Sequence, residues 1–263
     1  MKVSVVVITA RADPGFKELA NSLLKSSHKD FELILVDRLL KERTESWSEA
    51  CKAAGIDFTH VQDDSPQGPC PSAARNLGIT AASGDYIICI DDLTSFSANL
   101  IDEHVTVARD YGFDAICGSY VERIGDSDKI DPRTLDPHQS HGKWISQRFY
   151  GMHMGFTKSA WETVGGFDES FDGAYGFEDC DFGRRLFRAG LAIGWFPSLS
   201  VVCYKDSRHD LEHLNVNRGY KGAGVERSFT DEPLANVYGS FKWKNDKLIL
   251  LNDKIGKIGS GNK

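Results

Sequence analysis

Residues 3–121 alternate apolar runs with amphipathic helical patterns, and few architectures accept that alternation. Val3–Thr9, Phe31–Asp37, Phe58–Val61 and the run "GDYIICI" read as buried strands because they are short, β-branched and bounded by turn residues. Between them lie helical faces. Asp13-Pro14 starts one that carries Phe16, Leu19, Ala20, Leu23 and Leu24 on one side. Trp47, Ala50, Cys51 and Ala54 line a second that stops at Gly55, and a third spans about Ser72 to Ala82. Leu100, Ile101, His104, Val105 and Ala108 mark a fourth, ahead of a strand around Ala115–Val121. Strands separated by helices predict a mostly parallel, doubly wound sheet covered on both faces. Ligands of such sheets bind at the carboxyl ends of the strands. Asp37 ends the second strand, and Asp91-Asp92 end the fourth.

Two adjacent carboxylates at a strand tip repel each other unless a cation or proton sits between them. A turn explains them simply, since Asp favours strand ends and helix caps. A site for a hard cation explains them more sharply.

The rest of the chain narrows the function classes. With 263 residues it can bury a sizeable core, as one large domain or two small ones. The formal net charge of −7 argues against nucleic acid as a partner. That charge is uneven: residues 241–263 hold six lysines against Asp246 and Asp253, a balance of +4, which leaves −11 on the first 240. An acidic body that binds phosphates needs a cation to do so. The six cysteines form no CxxC pair, and most sit in apolar runs, so reduced thiols and a cytoplasmic location are expected. The start "MKVSVVVITARAD" imitates a short leader, but its Val, Ile and Thr suit a first strand. No stretch reaches the ~20 apolar residues of a membrane-crossing helix.

In the second half, residues 124–148 are polar and read as a loop, and a strand is expected near Val201–Tyr204 after Pro197. "GFEDCDFGRRLFRAG" places Glu178, Asp179 and Asp181 in the first turn of a helix whose face is Phe182, Leu186 and Ala189. Acids there complement the helix dipole. The dipole does not account for the run "FDGAYG" before them, where glycines permit close approach of a ligand and aromatics can stack on a sugar ring.

"CPSAARNLGITAASGDYIICIDD" resembles the inverting nucleotide-sugar glycosyltransferases of family 2, through Ala74-Arg75-Asn76, Gly78-Ile79, Ala82, Gly84, Asp85, Tyr86 and Ile87. "VSVVVIT" and "FELILVD" are similar to that family's first two strands. "GGFDESFDGAYGFEDCDFGRRL" is similar to its acceptor-side segment and to the equivalent stretch of β-1,4-galactosyltransferases. The resemblance covers roughly residues 3–205, with three motifs in order, and implies a GT-A fold over 1–205. Residues 1–123 would bind the nucleotide-sugar, 150–205 would hold the acceptor, and 206–263 would be an extension.

The resemblance also implies roles. Thr9 and Arg11 would border the nucleotide, Asp37 would contact base or ribose, and Arg75 would lead toward the diphosphate or serve as a salt-bridge partner. Asp91 and Asp92 would hold ribose and metal, with Asp92 favoured for the metal and Asp91 for the ribose. Asp179 would be the general base and Glu178 its neighbour that orients the acceptor hydroxyl. Mn²⁺ or Mg²⁺ would be the cofactor, with His209 as a further ligand and His213 and His153 as alternatives. The donor is taken as UDP-linked; the acceptor as a glycan, a lipid-linked molecule or a protein. Two departures stand out. "VDRLLKER" replaces the family's "VDDGS", and Leu93 occupies the third position of its Asp-x-Asp. Leu93 motivates a rival reading, a non-catalytic sugar- or nucleotide-sugar-binding module. A sugar nucleotidyltransferase would want a basic glycine-rich loop where "TARADPG" offers Arg11 and Gly15. The tail "FKWKNDKLILLNDKIGKIG" reads as an exposed hairpin or helix face, with peripheral membrane or partner contact as a second reading.

Overall fold

The computed structural model describes residues 1–43, 47–65, 68–131, 149–173 and 176–207, together with the backbone of 241–244 and 247–250. β1 (Val3–Thr9), β2 (Phe31–Asp37), β3 (Asp57–Gln62) and β4 (Tyr86–Asp91) lie side by side, all parallel, in the order β3-β2-β1-β4. Their connections are α1 (Phe16–Lys25), α2 (Trp47–Ala53) and α3 (Pro71–Ala81), and α4 (Leu100–Tyr111) follows β4.

The strands read as continuous apolar runs because both of their faces are covered. Val5, Val7, Leu33, Leu35, Ile88 and Ile90 pack with α1, α2 and α4. Their alternates Val6, Ile34, Val36, Ile87 and Cys89 pack with Ala74 and Ile79 of α3. Gly78 lets α3 sit close on the sheet: a Cβ there would lie 2.6 Å from Val6 and 2.9 Å from Val36.

The sheet continues past β4 through elements of the second half: β5 (Thr94–Phe96), β6 (Ala115–Ile124), β7 (Ser127–Ile130), β8 (His153–Thr157) and β9 (Ile193–Tyr204). The order onward is β4-β8-β6-β9-β5, with β8 antiparallel to both neighbours. α5 (Lys158–Thr163) and α6 (Glu178–Arg188) cover this half, and Phe182 and Leu186 of α6 join the α3-side core. The sheet is therefore mixed, with a parallel nucleotide-type half, as the GT-A expectation requires.

Four elements, β5, β7, β8 and β9, differ from the sequence reading. Residues 124–130, expected as loop, form the β6–β7 hairpin through a two-residue turn, Gly125-Asp126, with Gly125 at φ 60°. A glycine-aspartate turn carries that signal, and Arg123 clamps Asp128 across it at 2.7 Å. The strand expected after Pro197 begins at Ile193 and runs through the proline, because the ladder with β6 slips between Gly118 and Ser119. A bulge spares the proline an amide bond it cannot make. β5 and β8 have no local signature and depend on long-range pairing. In the tail, β10 (Phe241–Lys244) and β11 (Lys247–Leu250) pair as an antiparallel hairpin.

"SGD" before β4 is structural. Glu32, 5% exposed, accepts from Ser4 Oγ at 2.6 Å, Ser83 N–H at 2.7 Å, Ser83 Oγ at 2.9 Å and Gly84 N–H at 3.2 Å. Burial pushes its pKa up, but these donors and Lys2 outweigh it and hold the carboxyl below its ordinary value. Glu32→Ala leaves these donors unpaired and should cost about 2–3 kcal/mol in urea unfolding at pH 7. A depressed native pKa contributes stability above the unfolded pKa that is lost as pH falls through the folded one. The gap between native protein and variant should therefore close below the ordinary carboxylate range.

Candidate functional site

The carboxyl ends of β1, β2 and β3 are in register, Thr9 beside Asp37 and Asp37 beside Gln62, while Asp91 faces Ile8 across β1 and β4. Four strand tips thus form one rim.

Asp37 is fully buried there and its oxygens are occupied. Arg43 donates to both, at 2.7 and 3.0 Å, His60 Nε2 lies 3.0 Å from Oδ2, and Leu39 N–H donates to Oδ1 at 2.8 Å. Burial pushes the carboxyl up, and the bonds from His60 and Arg43 outweigh that and lower it. Arg43 also donates to the carbonyls of Ala12 and Arg11 and lies over the Trp47 ring, itself stacked on Phe16. Asp37 therefore orders the loop after β1. Arg38, in place of the second aspartate of "VDDGS", pairs with Asp63 at 3.0 Å.

Asp91 and Asp92 point to different partners, which is how adjacent like charges coexist. Asp92 accepts from Thr9 Oγ1 at 2.7 Å on one oxygen and from Arg11 Nε at 3.0 Å on the other. Thr9 Oγ1 accepts in turn from Arg11 N–H, so these three residues close one knot. Burial raises Asp92 to about 6, against the pull of Arg11 and Thr9. Asp91 keeps 36% of its side chain exposed, with Arg75 Nη2 3.8 Å from Oδ1. Burial of the rim raises its pKa, opposed by Arg75 and Lys205. Leu93 turns away from the rim. Its φ is 53°, its side chain is 1% exposed, and Gly15 packs against its Cα. A carboxylate at position 93 would be buried under the loop after β1.

The acceptor-side acids meet this rim through Arg75. Arg75 Nη1 donates to Glu178 Oε1 at 2.7 Å, and both side chains are 6% exposed. The guanidinium also lies over Phe167 at 5.5 Å. Glu178 Oε2 is buried with no hydrogen-bond partner among the described residues, so the bond from Arg75 falls on the other oxygen. Asp179 is half-buried. It accepts from Gly151 N–H and Cys180 N–H, each at 2.7 Å. Burial first, and then the Glu178 carboxylate, raise Asp179 to about 6, while Arg75 pulls it down. Such a carboxyl can accept a proton near neutral pH.

Local structure explains why α6 begins where it does. Phe177, at φ 76°, turns the chain into the helix, and with Leu93 it makes up the non-glycine positive-φ residues among those described. Both stand beside acids of the site, where backbone strain is often stored. The preceding segment is strapped to α3. Asn76 accepts from Phe167 N–H at 2.8 Å and donates to its carbonyl at 2.9 Å. Asp172 caps the start of α3 by accepting from Ser72 and Ala73 N–H. The "ARN" segment thus joins the two halves.

Arg75, Asp91, Glu178 and Asp179 converge; Thr9, Arg11 and Asp92 form the adjoining knot; Asp37 lies behind it. His209 falls outside the described residues. Among those described, no group of three or more His, Cys, Asp or Glu side chains is placed to hold a metal. Thr9 and Arg11 occupy both oxygens of Asp92, so the metal preference moves from Asp92 to the more open Asp91, and one or two carboxylates with substrate phosphates suffice for Mg²⁺. The donor set fits a divalent cation to that extent. Sequence reasoning passed over Arg43, His60 and Gly151. Arg43 ends "VDRLLKER" and Gly151 stands two residues before His153, but none of the three carries a motif signal of its own.

Residues 4–189 match the family model described as "Glycosyl transferase family 2". An uncharacterized glycosyltransferase from Haemophilus influenzae is 26% identical over 147 residues, 51% of this chain and 56% of that protein, so the chain spans about half of that relative. In three dimensions the chain is similar to S. aureus TarS 1-349 in complex with UDP-GlcNAc, with TM-score 0.65 and 16% identity over 82% of this chain and 61% of that one. It is also similar to the mannosyltransferase PcManGT from Pyrobaculum calidifontis in complex with GDP-Man and Mn²⁺, with TM-score 0.58 and 18% identity over 79% of this chain and 58% of that one. At these identities the likeness shows the fold.

The two acids of α6 should separate in stability. Glu178→Ala leaves the buried Arg75 with only the longer contact to Asp91 and should cost about 3 kcal/mol. Asp179→Asn should cost under about 1.5 kcal/mol, because a carboxyl with a raised native pKa already penalises the folded state above that pKa. Urea unfolding of both variants at pH 7 checks the contrast.

Proposed function

We propose, for a chain that belongs to glycosyl transferase family 2 and is a glycosyltransferase, that it moves a sugar from a nucleoside-diphosphate donor to an acceptor hydroxyl in one inverting displacement. The observation that carries this reading is the convergence of Asp179, Glu178, Arg75 and Asp91 on one rim. UDP-sugar is the donor we favour, in keeping with a fold neighbour that holds UDP-GlcNAc. Asp37, Thr9 and Arg11 shape the nucleotide end, Asp37 through Arg43 and His60 rather than by direct contact.

Inversion asks for one base and no enzyme nucleophile. Asp179 is that base. Its two backbone donors fix the plane of the carboxylate and leave lone pairs for the acceptor hydroxyl, whose proton passes to Asp179 as its oxygen bonds the anomeric carbon. Glu178 acts on Arg75, holding the guanidinium between the base and the donor rim. Arg75 thereby keeps Asp179 lower than burial alone would set it, so that it is ionised at neutral pH. A divalent cation, Mn²⁺ or Mg²⁺, would be held by Asp91 with the donor's diphosphate oxygens and would supply Lewis-acid stabilisation of the leaving diphosphate. Asp92, bound to Arg11 and Thr9, supports Asp91 from behind.

Asp179→Asn tests the base. Transfer should fall about 10²–10⁴-fold with donor affinity in calorimetry little changed, and native kcat/KM should decline on the acid side with an apparent pKa of about 6. Near-normal turnover in the variant would remove the assignment.

A further inference from the structure

One short turn, Gly151–His153, touches the groups on which the proposed reaction depends. Gly151 N–H donates to Asp179 Oδ2 at 2.7 Å, and the Met152 carbonyl accepts from Asp91 N–H at 3.3 Å. The base and the donor-side aspartate are thus fastened to consecutive residues.

Gly151 has a second property. A Cβ at this position would collide with Arg75 Nη2 and lie 2.7 Å from its Cζ. The guanidinium has nowhere easy to go, since Glu178 pins it at 2.7 Å, Phe167 lies across it and its side chain is 6% exposed. Gly151 is absent from the glycines with positive φ. Its backbone would therefore accept a side chain, and it is the space taken by Arg75 that forbids one.

The turn is also held from behind. His153 Nε2 lies 2.8 Å from His104 Nε2, His153 Nδ1 lies 3.3 Å from the Ser119 carbonyl, and His104 Nδ1 lies 3.2 Å from Tyr86 Oη. Both rings are essentially fully buried, and burial keeps them neutral, with His153 lowered to about 4. One set of neutral tautomers satisfies the whole chain: Tyr86 O–H donates to His104, His104 to His153, and His153 to Ser119. The anchor therefore carries no charge across the working pH range.

We propose that Gly151 is a positioning residue for transfer, whose missing side chain makes room for the Arg75 guanidinium and whose N–H aims the Asp179 carboxylate, with the His104–His153 pair seating the turn. This rests on Asp179 as the base. Gly151→Ala pushes Arg75 away from Glu178 and from the base. Glu178 still raises Asp179, and the cation that opposes it is withdrawn.

The test is a cycle of Gly151→Ala, the paired replacement Arg75→Met/Glu178→Gln, which strands no buried carboxylate, and the combination of the two, read as thermal midpoints, with the pH profile of kcat/KM for Gly151→Ala. The expected result is a lower midpoint for Gly151→Ala in the native background and a smaller loss once the paired replacement has removed the guanidinium. In the single variant kcat should fall about 10²-fold with acceptor KM little changed, and its acid limb should move to higher pH. Should Gly151→Ala fail to fold, the expected result is recovery of folded protein when it is combined with the paired replacement. Additive losses, an unmoved acid limb, or no recovery in the combined variant would each overturn the proposal. Asp179→Asn keeps the two readings apart: full turnover there ends the base assignment and leaves the outcome of the cycle standing on its own.

Discussion

The buried ion pair between Arg75 and Glu178 joins two parts of the chain that share no local signal, since 103 residues separate the partners. Arg75 belongs to α3, on the parallel half, and Glu178 opens α6, on the other. A buried pair is poor evidence of stability, because desolvation consumes most of the Coulombic gain. Its value here lies in arrangement. Glu178 holds the guanidinium at 2.7 Å, and Arg75 there stands within 3.8 Å of Asp91. Everything around it supports that placement: Asn76 and Asp172 strap the acceptor segment to α3, and Gly151 leaves the space empty.

Charge along the rim follows the same logic of one cation to each acid. Arg11 serves Asp92, Arg43 serves Asp37, Arg38 serves Asp63, and Arg75 serves Glu178. A body with a net charge of −7 thereby gathers guanidinium groups where a diphosphate would bind. Asp91 is the acid left partly open, with Arg75 at the longer 3.8 Å. The departure at Leu93 takes on a physical meaning in this arrangement. Left-handed and buried under Gly15, position 93 belongs to the packing of the loop after β1, so the rim's oxygen chemistry rests on the two residues before it.

The parallel half was legible in the sequence because its strands are buried on both faces and its helices are strongly periodic. Val3–Thr9 and Phe31–Asp37 fold as read, residue for residue. The placement of the acids was legible too, since they stand at strand tips and in the first turn of a helix. What the sequence concealed was pairing across distance. Nothing near Asn76 announces that it bridges to Phe167, nor near Asp37 that Arg43 and His60 would occupy it. β8 and the His104–His153 contact exist only once β4 and β6 flank that strand. Gly125-Asp126 was the exception: the turn signal was local, and a polar composition masked it.

The central claim is a single displacement driven by one base, and the stereochemistry of the product tests it most directly. Proton NMR of the first-formed product, before any mutarotation, reads the configuration at the transferred anomeric carbon. The account predicts a configuration opposite to that of the donor. Retention would contradict it, because retention calls for a second displacement and an enzyme nucleophile that the mechanism does not contain.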